Sequence, residues 1–149
     1  DGSDANAILS QMVQSGLNFE IYGNQDWFLG KGFESSSELS NKLTFDSDYF
    51  IDFNDAAFKE FSTFFKNTAG IETNRNILYG YDTAKYILTV IRNIEPTRKN
   101  IKYKIESGIN VTGFHNNISF DNDRTNKFIN VVRFKDGVFE LVDKFRSGK

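Results

Sequence analysis

The chain contains no cysteine, one histidine, one proline, one methionine and one tryptophan among 149 residues. Without cysteine there is no disulfide and no thiolate metal site. A single histidine, His115, rules out a histidine-rich metal centre, and His115 itself lies among polar residues where a solvated turn is expected. No run approaches the roughly 18 apolar residues of a membrane span. There is no long basic stretch, and the formal net charge is -2, so the electrostatic footprint of a nucleic-acid binder is missing. The most basic cluster, Arg98, Lys99, Lys102 and Lys104, reads as a solvated helix face. Asp46, Asp48, Asp52 and Asp55 lack the glycine and closing glutamate of a calcium loop. Gly30 and Gly32 around Lys31 lack the spacing of a phosphate loop, and 30–41 reads as a polar loop.

What is abundant is phenylalanine, at sixteen residues, within a chain 39% hydrophobic and 26% charged. That balance suits a folded α/β domain with an aromatic core. Ser3 or Asp4 can cap a first helix carrying Ala5, Ile8, Leu9, Met12 and Val13, with Gly16 as its stop. A strand over 19–22 ends at Gly23, and another begins at Leu43-Thr44-Phe45. Asn54 or Asp55 caps a helix whose stripe of Ala57, Phe58, Phe61, Phe64 and Phe65 reads as core. The spacing predicts a second long helix over 78–93, with Ala84, Ile87, Leu88 and Ile91 facing inward and Pro96 beyond its end. A shorter helix over 98–106 follows, closed by Gly108. The tail then changes period: short strand signals at 111–113 and 118–120 precede a strand at 128–134. Asp136-Gly137 turns that strand back into a hairpin.

Several segments, in order, resemble the type I periplasmic binding proteins, the family of branched-chain amino acid receptors. They are Leu17 to Asn24 with Trp27 close behind, Gly80-Tyr81-Asp82-Thr83-Ala84, Val111-Thr112-Gly113 with Ile118-Ser119-Phe120-Asp121, and Val131 to Gly137 with its return strand. The resemblance implies an α/β fold with partial lobes: a parallel sheet flanked by helices, ending in a β-hairpin. It implies that the chain is a carboxy-terminal part of such a domain, 1–50 and 127–149 being second-lobe-like and 51–126 first-lobe-like. It further implies a non-enzymatic solute-binding protein that closes on a small polar ligand such as an amino acid or amide, with no cofactor. The expected setting is the periplasm or cell envelope, with a membrane permease or an envelope protein as partner. Exposed strand edges would favour self-association.

The turn Asn24-Gln25-Asp26-Trp27 is the leading ligand candidate. It follows the carboxyl end of a strand, where open α/β sheets bind ligands, and it offers amides, a carboxylate and an indole face. Asn76 and Tyr79, on the approach to Gly80, are the second candidates, while Tyr81 and Asp82 read as structural, Asp82 near a helix N-terminus. Amino acid receptors of the family carry a carboxylate where this chain has Gln25. That amide leaves room for an alternative within the same fold, an envelope lipoprotein acting as a protein-interaction module, as in the penicillin-binding-protein activators.

Overall fold

The computed structural model describes residues 2–26 and 43–148. The loop expected over 30–41 and the side chain of Trp27 lie outside the described residues. The chain divides into two compact units, one of 1–48 with 130–145 and the other of 49–129 with 146–149.

In the first unit, helix α1 (Gly2–Gln14) precedes strands β1 (Ile21–Gly23) and β2 (Leu43–Ser47). Helix α1 opens earlier than expected, so Ser3 and Asp4 fall in its first turn rather than at the cap. A carboxylate still suits that end of the helix dipole. Gly16, at φ 65°, ends the helix: its N–H reaches Val13 O and that of Leu17 reaches Met12 O, both at 3.0 Å. This double bond pattern satisfies carbonyls that the helix leaves open.

Strands β5 (Phe128–Lys135) and β6 (Val138–Arg146) complete a sheet of order β1-β2-β5-β6. The expected parallel sheet is mixed. Strands β1 and β2 are parallel, with Gly23 beside Phe45, but β5 lies antiparallel to β2, with Phe45 opposite Val132. Asp136 at φ 50° and Gly137 at φ 84° form the tight turn into β6, and a two-residue turn of this hand makes β6 return antiparallel. Side chains on β5 alternate, with Asn130, Val132 and Phe134 buried, as a period of two requires. Leu9 of α1 packs with Ile21, Leu43, Phe45 and Phe134, and Phe139 adds ring contacts to Phe45 and Phe134.

The second unit contains helices α2 (Ala56–Ala69), α3 (Arg75–Ile91) and α4 (Arg98–Glu106) and the short antiparallel pair β3 (Val111–Thr112) and β4 (Asn117–Ile118). Asp55 caps α2 through Phe58 N–H at 2.7 Å. Asp52 accepts Asn54 N–H at 2.8 Å. Asp52 and Asp55 of the aspartate cluster thus accept from the backbone. Helix α2 ends at Gly70, φ 74°. Thr97 caps α4 directly after Pro96, and Gly108, φ 74°, follows its end.

Two apolar stripes read from the sequence are corrected here. On α2, Phe58 is buried and Phe61 and Phe65 are half-buried, but Phe64 is 66% exposed. On α3, which starts at Arg75 behind the cap Asn74, the buried face is Leu78, Asp82, Tyr86 and Val90. The expected face is largely solvated, with Ile87 51% and Leu88 64% exposed. Both sets recur at helical spacing. The inward set, however, includes a carboxylate and a phenol that no hydrophobic pattern selects. His115 is a further correction. It is buried at 5% exposure rather than solvated, because Asp82 offers its ring and its backbone N–H a partner.

Candidate functional site

The carboxyl ends of the parallel strands β1 and β2 lie side by side, with Gly23 level with Phe45. The turn leaving β1 therefore stands next to Ser47 and Asp48. Asn24 Oδ1 accepts the N–H of Asp26 at 3.1 Å, which sets the turn. Gln25 Oε1 accepts the N–H of Asp48 at 3.0 Å and ties the two strand ends across 23 positions of sequence. Asp26 and Asn24 are exposed and Gln25 is half-buried. Of the first candidate set, then, Asn24 and Gln25 shape the turn and Asp26 presents a carboxylate at the strand ends. Gln25 is more firmly engaged by the backbone than its sequence context suggested.

The second unit gathers a different cluster around Asp82. This residue sits in the third turn of α3, not at its start, and its side chain is fully buried. Asp82 Oδ1 accepts the N–H of Phe114 and Oδ2 that of His115, each at 2.9 Å, and Oδ2 also pairs with His115 Nδ1. Gly113 makes this approach feasible. A Cβ there would lie 2.5 Å from Asp82 Cγ and 2.6 Å from the Asn116 carbonyl oxygen. The Gly-Tyr-Asp and Val-Thr-Gly segments, 31 positions apart, meet at this contact.

The imidazole of His115 is flanked by two phenols, with ring centroids 4.3 Å from Tyr79 and 6.0 Å from Tyr49. Arg75, one turn before Tyr79 on α3, donates from Nη2 to the Tyr79 hydroxyl at 3.1 Å. Its guanidinium carbon lies 5.0 Å from the Tyr49 ring centre and 5.4 Å from that of Tyr79, within cation–π range. Burial pushes the Tyr49 phenol above its usual range; Arg75 counteracts this and the Asp82 carboxylate reinforces it. Tyr79, a candidate from the sequence, thus belongs to a built cluster. Asn76 does not join it, being exposed on the neighbouring side of α3. Arg75, Tyr49 and His115 were not singled out as site residues, since they come from three distant segments with no shared motif.

An aspartate that orients an imidazole also occurs in hydrolytic triads. Here the imidazole packs against Tyr79 and Tyr49, whose rings also touch each other, and the aspartate holds two backbone N–H groups as well. The pair chiefly fixes the 113–116 turn against α3, and Arg75, Tyr49 and Tyr79 beside it are half-buried. Among the described residues no three histidine, aspartate or glutamate side chains gather as a metal site. Nor is any described helix long and apolar enough to cross a membrane.

No family model matches the chain, and no curated protein matches it either. Solved structures do. A Rhodospirillum rubrum protein assigned to branched-chain amino acid ABC transport superposes with a TM-score of 0.67 at 17% identity, covering 95% of this chain and 42% of its own. A leucine-binding protein of Thermotoga maritima gives 0.56 at 19% identity, covering 97% of this chain and 42% of its own. An ABC transporter substrate-binding protein of Desulfitobacterium hafniense, solved with leucine, gives 0.57 at 15%, covering 93% and 40%.

The chain has the type I periplasmic-binding-protein fold. It spans about two fifths of the length of these neighbours. At these identities the likeness is one of fold. The expected α/β class and its C-terminal hairpin are present, in partial form, with the mixed sheet described above.

Proposed function

We propose that the chain is the carboxy-terminal part of an extracytoplasmic solute-binding protein that holds a small polar ligand without covalent chemistry. In this reading residues 1–50 and 127–149 belong to the second lobe and 51–126 to the first. The observation that carries the proposal is the superposition of nearly the whole chain on a leucine-binding protein and on a substrate-binding protein of an ABC transporter. Support from the residues comes from the turn Asn24–Asp26 at the strand ends, with Asp26 as the group for a ligand ammonium and Trp27 next in the sequence. Tyr79 adds a hydroxyl and a ring face in the second unit, and Asn76 completes the candidate set. A membrane permease is the partner this role implies, in a periplasmic or envelope setting.

The test is a thermal-shift screen of the complete encoded protein against L-amino acids, their amides and small organic acids. At least one class should raise the melting temperature in a saturable way, and Asp26→Asn should weaken that effect. A flat response across the whole panel would overturn the proposal.

One observation favours a second reading, an envelope protein-interaction module of the same fold. Gln25, at the position where amino acid receptors carry a carboxylate, spends its oxygen on Asp48 N–H. If that reading holds, no solute shifts the melting temperature, while a defined envelope protein co-purifies with the complete protein and is lost on altering the 24–27 turn.

A further inference from the structure

Within the second unit, helices α3 and α4 and the segment after β4 enclose a groove of about 830 Å³, a size that suits a small organic ligand. Its walls are mainly apolar, built from Val90 of α3, Ile101 and Ile105 of α4, and Phe120. Five charged side chains also line it, and most of their charge is already matched. Lys102 and Glu106 pair with each other at 3.5 Å, and Asp121 is held by Lys127 at 2.9 Å. Two guanidinium groups remain, those of Arg98 and Arg124, and neither is paired among the described residues. Arg98 opens α4, where the helix N-terminus adds positive potential. Arg124 is held at φ 63°, a conformation that L-residues adopt at a cost, in a turn closed by its own N–H to Asp121 O at 3.2 Å. An apolar groove with two unmatched cations on its lining selects by sign as well as by hydrophobicity.

We propose that this groove binds a small amphipathic carboxylate, its apolar body against Val90, Ile101, Ile105 and Phe120 and its anionic end at Arg98 and Arg124. The proposal does not depend on the solute-binding role, which rests on other residues. Phenylbutanoate and phenylbutylammonium are matched probes with the same apolar body and opposite charge. Titrated by NMR into the 149-residue chain, phenylbutanoate should shift the resonances of Val90, Ile101, Ile105 and Phe120. It should bind about tenfold more tightly than the ammonium, as loss of a charge-assisted contact implies. The double variant Arg98→Gln/Arg124→Gln, changed only at exposed positions, should remove that preference and keep the native melting temperature. Equal affinity for the two probes, shifts confined to other surfaces, or an unchanged preference in the double variant would each overturn it.

Discussion

Asp82→Asn should lower the stability of the second unit more than any surface change in it. The carboxylate has no solvent exposure and accepts from Phe114 N–H, His115 N–H and the His115 ring. Asparagine keeps one acceptor oxygen and turns an NH₂ group toward donors that it cannot satisfy. Each charge-assisted bond is worth about 1.5–3 kcal/mol, and stripping one partner from a buried ionic arrangement costs about 3–5 kcal/mol. For a chain of this length 1 kcal/mol moves the melting temperature by about 2–4 °C, so the expected fall is roughly 6–20 °C. Circular dichroism melts and urea titration measure it, with the His115 ring resonances reporting on the second unit. His115→Gln and the double variant complete a cycle, and residues sharing one network should show a coupling of about 0.5–3 kcal/mol. A fall of less than about 2 °C for Asp82→Asn, or strict additivity in the cycle, would refute the reasoning.

Three further outcomes are expected. Gly113→Ala places a methyl 2.5 Å from Asp82 Cγ and should cost about 1–3 kcal/mol in urea unfolding, the range of an overpacked site. The Asp123 carboxyl is lowered to about 2, first by the bond from Lys127 and then by Thr125 N–H. Its contribution is therefore present above the ordinary carboxyl range and is lost as pH falls from about 4 toward 2. An NMR titration should show this midpoint, and Lys127→Met should return it toward 3.8. The Tyr86 hydroxyl is buried without a partner among the described residues, so Tyr86→Phe should leave stability unchanged or raise it by up to about 1 kcal/mol. A clear loss of stability would mean that the hydroxyl is bonded in solution.

Much of the architecture is local enough to be read from the chain. Gly16, Asp55 and Gly108 mark helix ends because capping and positive φ are properties of a few adjacent residues. Asp136-Gly137 turns the hairpin for the same reason. The ordered segments around Gly23, Asp82, Gly113 and Gly137 also pointed to the fold. What sequence could not supply was the direction in which each helix faces. On α3 two stripes compete, and the choice between them depends on β3 and β4 more than 20 positions later.

The candidate site divides along the same line. The turn at Asn24 to Asp26 was visible because it follows a strand and carries polar side chains. That Gln25 is spent on Asp48 follows only from the parallel register of β1 with β2. Likewise His115 and Asp82 are 33 residues apart, and nothing local to either points to the other. Tertiary structure decided that both are buried, since a carboxylate can leave water only where donors converge on it. Here Gly113 lets the 113–116 turn approach closely enough to bring three.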